Sequence, residues 1–128
     1  MRTVRSVSLV VLSLAITVAG TTVAAAQDDD RVERRGSCRG DGDWRIRVEP
    51  DDGRLDVDVE IDHVAGGQRW SWVLKHNGTV SARGTSRSNA YGGFYEIERT
   101  SVDVAGVDTF RFRAVRRPGH VCVATVSY

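Results

Sequence analysis

The residues that could do chemistry are histidines, serines, cysteines and carboxylates, and their spacing decides what they could do. His63, His76 and His120 are the only histidines. No two of them fall into a His-x-His or His-Glu-x-x-His spacing, so no single local element aims two ligands at one metal ion. None of the serines sits in a Gly-x-Ser-x-Gly elbow, which removes the best-marked acyl-transfer nucleophile. No glycine-rich loop opens a helix to cradle phosphate. Asp56, Asp58, Glu60 and Asp62 make an acidic row, but they alternate with Leu55, Val57, Val59 and Ile61. Such a row reads first as the solvated face of a strand. No catalytic residue, metal or cofactor is expected.

Cys38 and Cys122 are a different matter. Residues 1–26 have the layout of a secretory leader. Arg2 and Arg5 form a basic start, Val7 to Val18 is apolar, and Ala24-Ala25-Ala26 offers small residues for cleavage. Cleavage there leaves residues 27–128 in an oxidising compartment, where two cysteines in a small chain imply a disulfide. The closed loop spans 84 residues, and chain entropy values such a closure at about 4–5 kcal/mol. No later stretch is long and apolar enough to span a bilayer. Free secretion, without a membrane anchor, is the expectation.

The elements that must position these residues are strands. Alternation of period two dominates and no helical period appears. Strands are expected at 44–50, 54–62, 68–76, 79–85, 93–100, 108–116 and 120–127. Pro50-Asp51-Asp52-Gly53, Asn77-Gly78 and Arg117-Pro118-Gly119 mark turns. If Pro50–Gly53 closes the first hairpin, Arg45 faces Asp58, Arg47 faces Asp56 and Glu49 faces Arg54. Every outward pair is then opposite in charge. The chain is read as a leader at 1–26, an N-terminal segment at 27–37 and one β domain at 38–128. Its class is all-β, a single seven- or eight-stranded antiparallel β-sandwich with one disulfide. The alternative is a meander barrel, in which 54–62 pairs directly with 68–76 and sets Asp62 against Arg69.

Two stretches carry a resemblance. Trp72-Val73-Leu74-Lys75-His76-Asn77-Gly78-Thr79-Val80 resembles the strand, turn and strand around the core tryptophan of an immunoglobulin-like or fibronectin type III-like sandwich. Val104 with Asp108-Thr109-Phe110-Arg111-Phe112-Arg113-Ala114 resembles the approach to a later strand of that fold. Phe110 stands where such folds commonly place a corner tyrosine, and the inter-sheet disulfide of antibody domains is missing. The chain also resembles small secreted actinobacterial proteins of unknown function. The resemblance implies an immunoglobulin-like sandwich and no particular activity.

Under that arrangement one end of the domain gathers Arg39, His63, Gln68, Arg69, Arg87, Tyr91, Arg116, Arg117 and His120. These are the candidate binding residues, and Cys38 and Cys122 fall near the same end. Arginine and tyrosine suit recognition loops. Tyr91, Phe94 and Tyr95 could add an aromatic platform. Arg39-Gly40-Asp41 spells the integrin-recognition tripeptide and reads as a flexible polar connection. The chain has 18 basic and 17 acidic residues, and Arg2 and Arg5 leave with the leader. That balance gives no reason to expect nucleic acid or an anionic membrane as a partner. The expected function is that of a secreted, monomeric, non-catalytic module binding an extracellular protein or glycan. An enzyme inhibitor presenting the Arg117-Pro118-Gly119 loop is the alternative, and a hydrolytic enzyme a more distant one.

Overall fold

Eight segments, most of them with alternating apolar residues, fold into two antiparallel sheets in a computed structural model that describes residues 30–128. The leader and its cleavage site lie outside the described residues. The strands are β1 (Val32–Ser37), β2 (Asp43–Asp51), β3 (Arg54–Asp62), β4 (Arg69–His76), β5 (Thr79–Arg87), β6 (Tyr95–Val102), β7 (Thr109–Arg116) and β8 (His120–Ser127). One sheet has the order β1-β2-β3-β6 and the other β5-β4-β7-β8. β3 pairs with β2 and β6 rather than β4, so the meander pairing of Asp62 with Arg69 does not occur. The sheets do not close into a barrel.

Every second residue points inward. Ile46, Val48, Leu55, Val57, Val59 and Ile61 from one sheet meet Trp70, Trp72, Leu74, Phe110, Phe112 and Ala124 from the other, all buried. Trp72 and Phe112 stack with ring centroids 5.9 Å apart. Two tryptophans close the lateral edges in the same way. Trp44 lies over Gly36 of β1 and Trp72 over Gly84 of β5, each glycine being the cross-strand partner of its tryptophan. A Cβ on either glycine would come within 3 Å of the indole. Arg99 of β6 covers the second edge, its guanidinium 5.0 Å from the Trp72 ring centre.

Strand β1 lies within residues 27–37, where no strand was expected. Its sequence VERRGS has a single large apolar residue, so period two is invisible there. Pairing with β2 and the indole over Gly36 hold it in place.

The first hairpin corrects the sequence register by two residues. Arg45 faces Glu60, Arg47 faces Asp58, and Glu49 faces Asp56, which is a like-charge pair. The turn is the two-residue Asp52-Gly53, with φ of 46° and 75°. Both central residues at positive φ make the tight turn whose twist matches the strands, and that geometry outweighs the charge pairing. Pro50 is therefore inside β2. It lies beyond Val48, the last residue that β1 covers, so its missing N–H breaks no ladder to that strand.

Cys38 and Cys122 are bonded, with Cα atoms 4.4 Å apart. The bond joins the β1–β2 connection of one sheet to β8 of the other. Beside it, Arg39 and Val121 exchange backbone hydrogen bonds of 2.8 and 3.0 Å.

Candidate binding surface

The candidate residues do lie at one end of the sandwich. β2 starts, β3 ends, β4 starts, β5 ends and β7 turns into β8 there. Their surroundings separate them. Arg39 is pinned through its backbone to Val121, and the Asp41 N–H donates to His120 Nδ1 at 3.2 Å. Arg39-Gly40-Asp41 is thus a fixed turn against β8, in contrast to the flexible connection expected. His63 engages Asp43 at 3.1 Å on the surface. Gln68 donates its backbone N–H to Ser88 Oγ. Arg87 donates to the Gly67 carbonyl at 2.7 Å. Arg116 turns inward, with its guanidinium 5.8 Å from the centre of the buried Trp70 ring. Arg69 and Arg117 are exposed.

The three aromatics divide. Tyr95 is buried, 5.7 Å from Trp70 centre to centre, and burial pushes its hydroxyl well above the usual phenol range. Tyr91 and Phe94 are exposed. Asn89 Oδ1 accepts the N–H groups of Tyr91 and Gly92, both at 2.9 Å, so the loop that carries Tyr91 is held by its own side chain.

Charge is distributed very unevenly between the sheets. Strands β1, β2, β3 and β6 carry ten acidic and six basic residues. Strands β4, β5, β7 and β8 carry Arg69, Lys75, Arg83, Arg87, Arg111, Arg113 and Arg116 and no acidic residue. All but Arg116 are exposed, and exposed Arg117 continues the set into the β7–β8 turn. Like charges stand directly opposite each other: Arg69 faces Arg87, and Lys75 faces Arg111. No Lys or Arg of β4, β5, β7 or β8 takes part in an ion pair among the described residues. The near-neutral total hid this segregation, because it sums two faces of opposite sign.

Two joined concavities mark the cationic face. One of about 620 Å³ is lined by Gln68, Arg69, Ser71, Arg113, Val115, Arg116 and Arg117. The other, of about 370 Å³, shares Ser71, Arg113 and Val115 with it and extends to Arg83 and Thr85. The opposite sheet has a hollow of about 380 Å³ bounded by both signs of charge, including Arg35, Arg45, Glu60 and His63. Beside it Asp58 accepts from Arg47 at 2.9 Å. Asp58, Glu60 and Glu98 crowd Glu96 and raise its carboxyl above the usual range, Asp58 contributing most.

A Ser–His–Asp array lies at the far end of the sandwich, and spacing in the sequence gave no sign of it. His76 ends β4, Asp108 precedes β7 and Ser101 lies near the end of β6. The His76 side chain is 11% exposed and that of Asp108 1%. The His76 Nε2–H donates to Asp108 Oδ1, which leaves Nδ1 to accept from the Ser101 hydroxyl at 3.1 Å. The imidazole stacks on Phe110, 4.5 Å between centres. The buried Asp108 also pairs its backbone with Tyr128. This cluster ties the end of β4 to β6 and to the segment before β7. Ser101 lines none of the concavities described above. Its signal was a histidine at a strand end and an aspartate just before Thr109-Phe110, two ordinary features 32 residues apart.

No protein-family model matches this chain, and no curated protein does.

Proposed function

We propose that this chain is a secreted, non-catalytic binding module with an immunoglobulin-like sandwich, and that it holds an anionic extracellular partner on the outer face of β5-β4-β7-β8. The observation that carries the reading is the segregation of charge. Six exposed basic residues on β4, β5 and β7, with Arg117 beside them, have no carboxylate on the four strands of their sheet. Like charges opposed across a ladder cost stability, and on this sheet, unlike the other, no carboxylate of the same strands offsets them. Cationic surfaces raise the local concentration of anions and speed their encounter. The strand order, with β2-β3-β6 in one layer and β5-β4-β7-β8 in the other, supports the immunoglobulin-like reading. The disulfide supports an oxidising compartment.

The test is retention on a sulfated matrix against an uncharged matrix of the same backbone, eluted with salt. Retention on the sulfated matrix alone is expected, with earlier elution for Lys75→Ser combined with Arg111→Ser. Arg45→Ser combined with Arg47→Ser should elute as the parent does. Equal loss from both double variants would overturn the reading.

A further inference from the structure

The cationic face is not a uniform lawn of charge. The register sorts its side chains into rows that run across the strands. Thr85, Ser71, Val115 and Val121 are successive cross-strand partners and form one neutral row of small side chains. On one side of that row, Arg87 faces Arg69, and Arg69 shares a concavity with Arg117. On the other side, Arg83 and Arg113 flank Val73. Arg83 and Arg87 are four residues apart on one strand, or about 13 Å. The two concavities described above meet on the neutral row, at Ser71 and Val115. The result is a trough that crosses β5, β4 and β7, with a small-residue floor and guanidinium groups along both banks.

The geometry points to a linear acidic polysaccharide as the occupant, lying across the strands with its carboxylate or sulfate groups turned to the banks. This rests on the binding reading above and adds the ligand class and its path. Guanidinium groups fit carboxylate and sulfate oxygens two at a time. The trough runs across three strands, which suits a chain rather than a compact ligand. Serine and threonine hydroxyls on the floor can meet sugar hydroxyls. The outward positions of β4, β5, β7 and β8 hold no aromatic residue. A single-stranded nucleic acid would want stacking platforms there, and an uncharged polysaccharide would have neither stacking nor charge to hold it.

The experiment fills the floor without touching a charge. Ser71→Ile combined with Thr85→Ile places β-branched residues, which favour strands, on exposed strand positions, so the fold is retained; an unchanged thermal midpoint verifies this. A second variant, Arg83→Gln combined with Arg113→Gln, removes one bank. Binding of a sulfated hexasaccharide, of a hexasaccharide of uronic acid and of an oligonucleotide of equal charge is measured by calorimetry. The inference expects one or both acidic hexasaccharides to bind more tightly than the oligonucleotide. It expects both variants to weaken that binding about tenfold or more. An unchanged affinity in Ser71→Ile, Thr85→Ile alongside a loss in Arg83→Gln, Arg113→Gln would overturn the trough and leave the cationic face as the binding surface. Tighter binding of the oligonucleotide would overturn the polysaccharide. Binding of none of the three by the parent chain would overturn both this inference and the reading beneath it.

Discussion

The outer faces of the two sheets use the same alternation and put charge to opposite uses. On β2 and β3, Arg45 reaches Glu60 at 3.2 Å and Arg47 reaches Asp58 at 2.9 Å, so the arginines are engaged inside the molecule. Across β4, β5 and β7, Arg69 faces Arg87 and Lys75 faces Arg111, and none is paired among the described residues. The first face carries both signs, so that arginine–carboxylate pairs lie beside like-charge neighbours such as Asp58 and Glu98. The second carries basic charge with no carboxylate on its own four strands. A basic side chain on a sheet is therefore informative only when its cross-strand partner is known.

The comparison can be broken at the points that hold the two layers together. Replacing Cys38 and Cys122 with alanine frees a loop of 84 residues. It should cost about 4–5 kcal/mol, read as a drop in the urea midpoint of the non-reduced chain. His76→Ala leaves the buried Asp108 carboxylate without its imidazole and should cost about 3–5 kcal/mol. The same urea titration measures it, and Ser101→Ala should cost much less because the His76–Asp108 pair survives.

Smaller changes sharpen the contrast between the faces. Arg47→Ala removes the closest partner of the buried Asp58 and should cost about 1–3 kcal/mol. Lys75→Ser relieves a like-charge pair and should leave stability unchanged or raise it by at most about 0.5 kcal/mol. Parallel thermal melts compare the two.

The smallest effect concerns Glu96. Its folded carboxyl titrates above its unfolded range, first because of Asp58. The folded state therefore favours the protonated form, and ionisation at neutral pH weakens the fold. Glu96→Gln should raise the urea midpoint slightly at neutral pH. The gain should vanish once the pH falls below the ordinary carboxylate range, where the parent residue is protonated in both states.

Much of the architecture was legible because inward and outward residues alternate without interruption. The segments from Trp44 through Val126 announced themselves in that way, and Asn77-Gly78 marked its hairpin. β1 was hidden because an edge strand with one large apolar residue shows no alternation. The first register slipped because cross-strand charge pairs are worth tenths of a kcal/mol and a two-residue turn fixes geometry outright. The cationic face was present in the letters, since no acidic residue occurs between His63 and Tyr95 or after Asp108. It was obscured by counting charge over the whole chain. The Ser101–His76–Asp108 cluster joins β4, β6 and the segment before β7, and only the packing of the two sheets brings it together.

The measurement that bears most directly on the account combines stability and binding in one variant, Arg111→Ser with Arg113→Ser. The account predicts a thermal midpoint equal to or above that of the parent chain, together with loss of retention on the sulfated matrix. A lowered midpoint with retention unchanged would contradict it, because the charges of β7 would then serve the fold and not a partner.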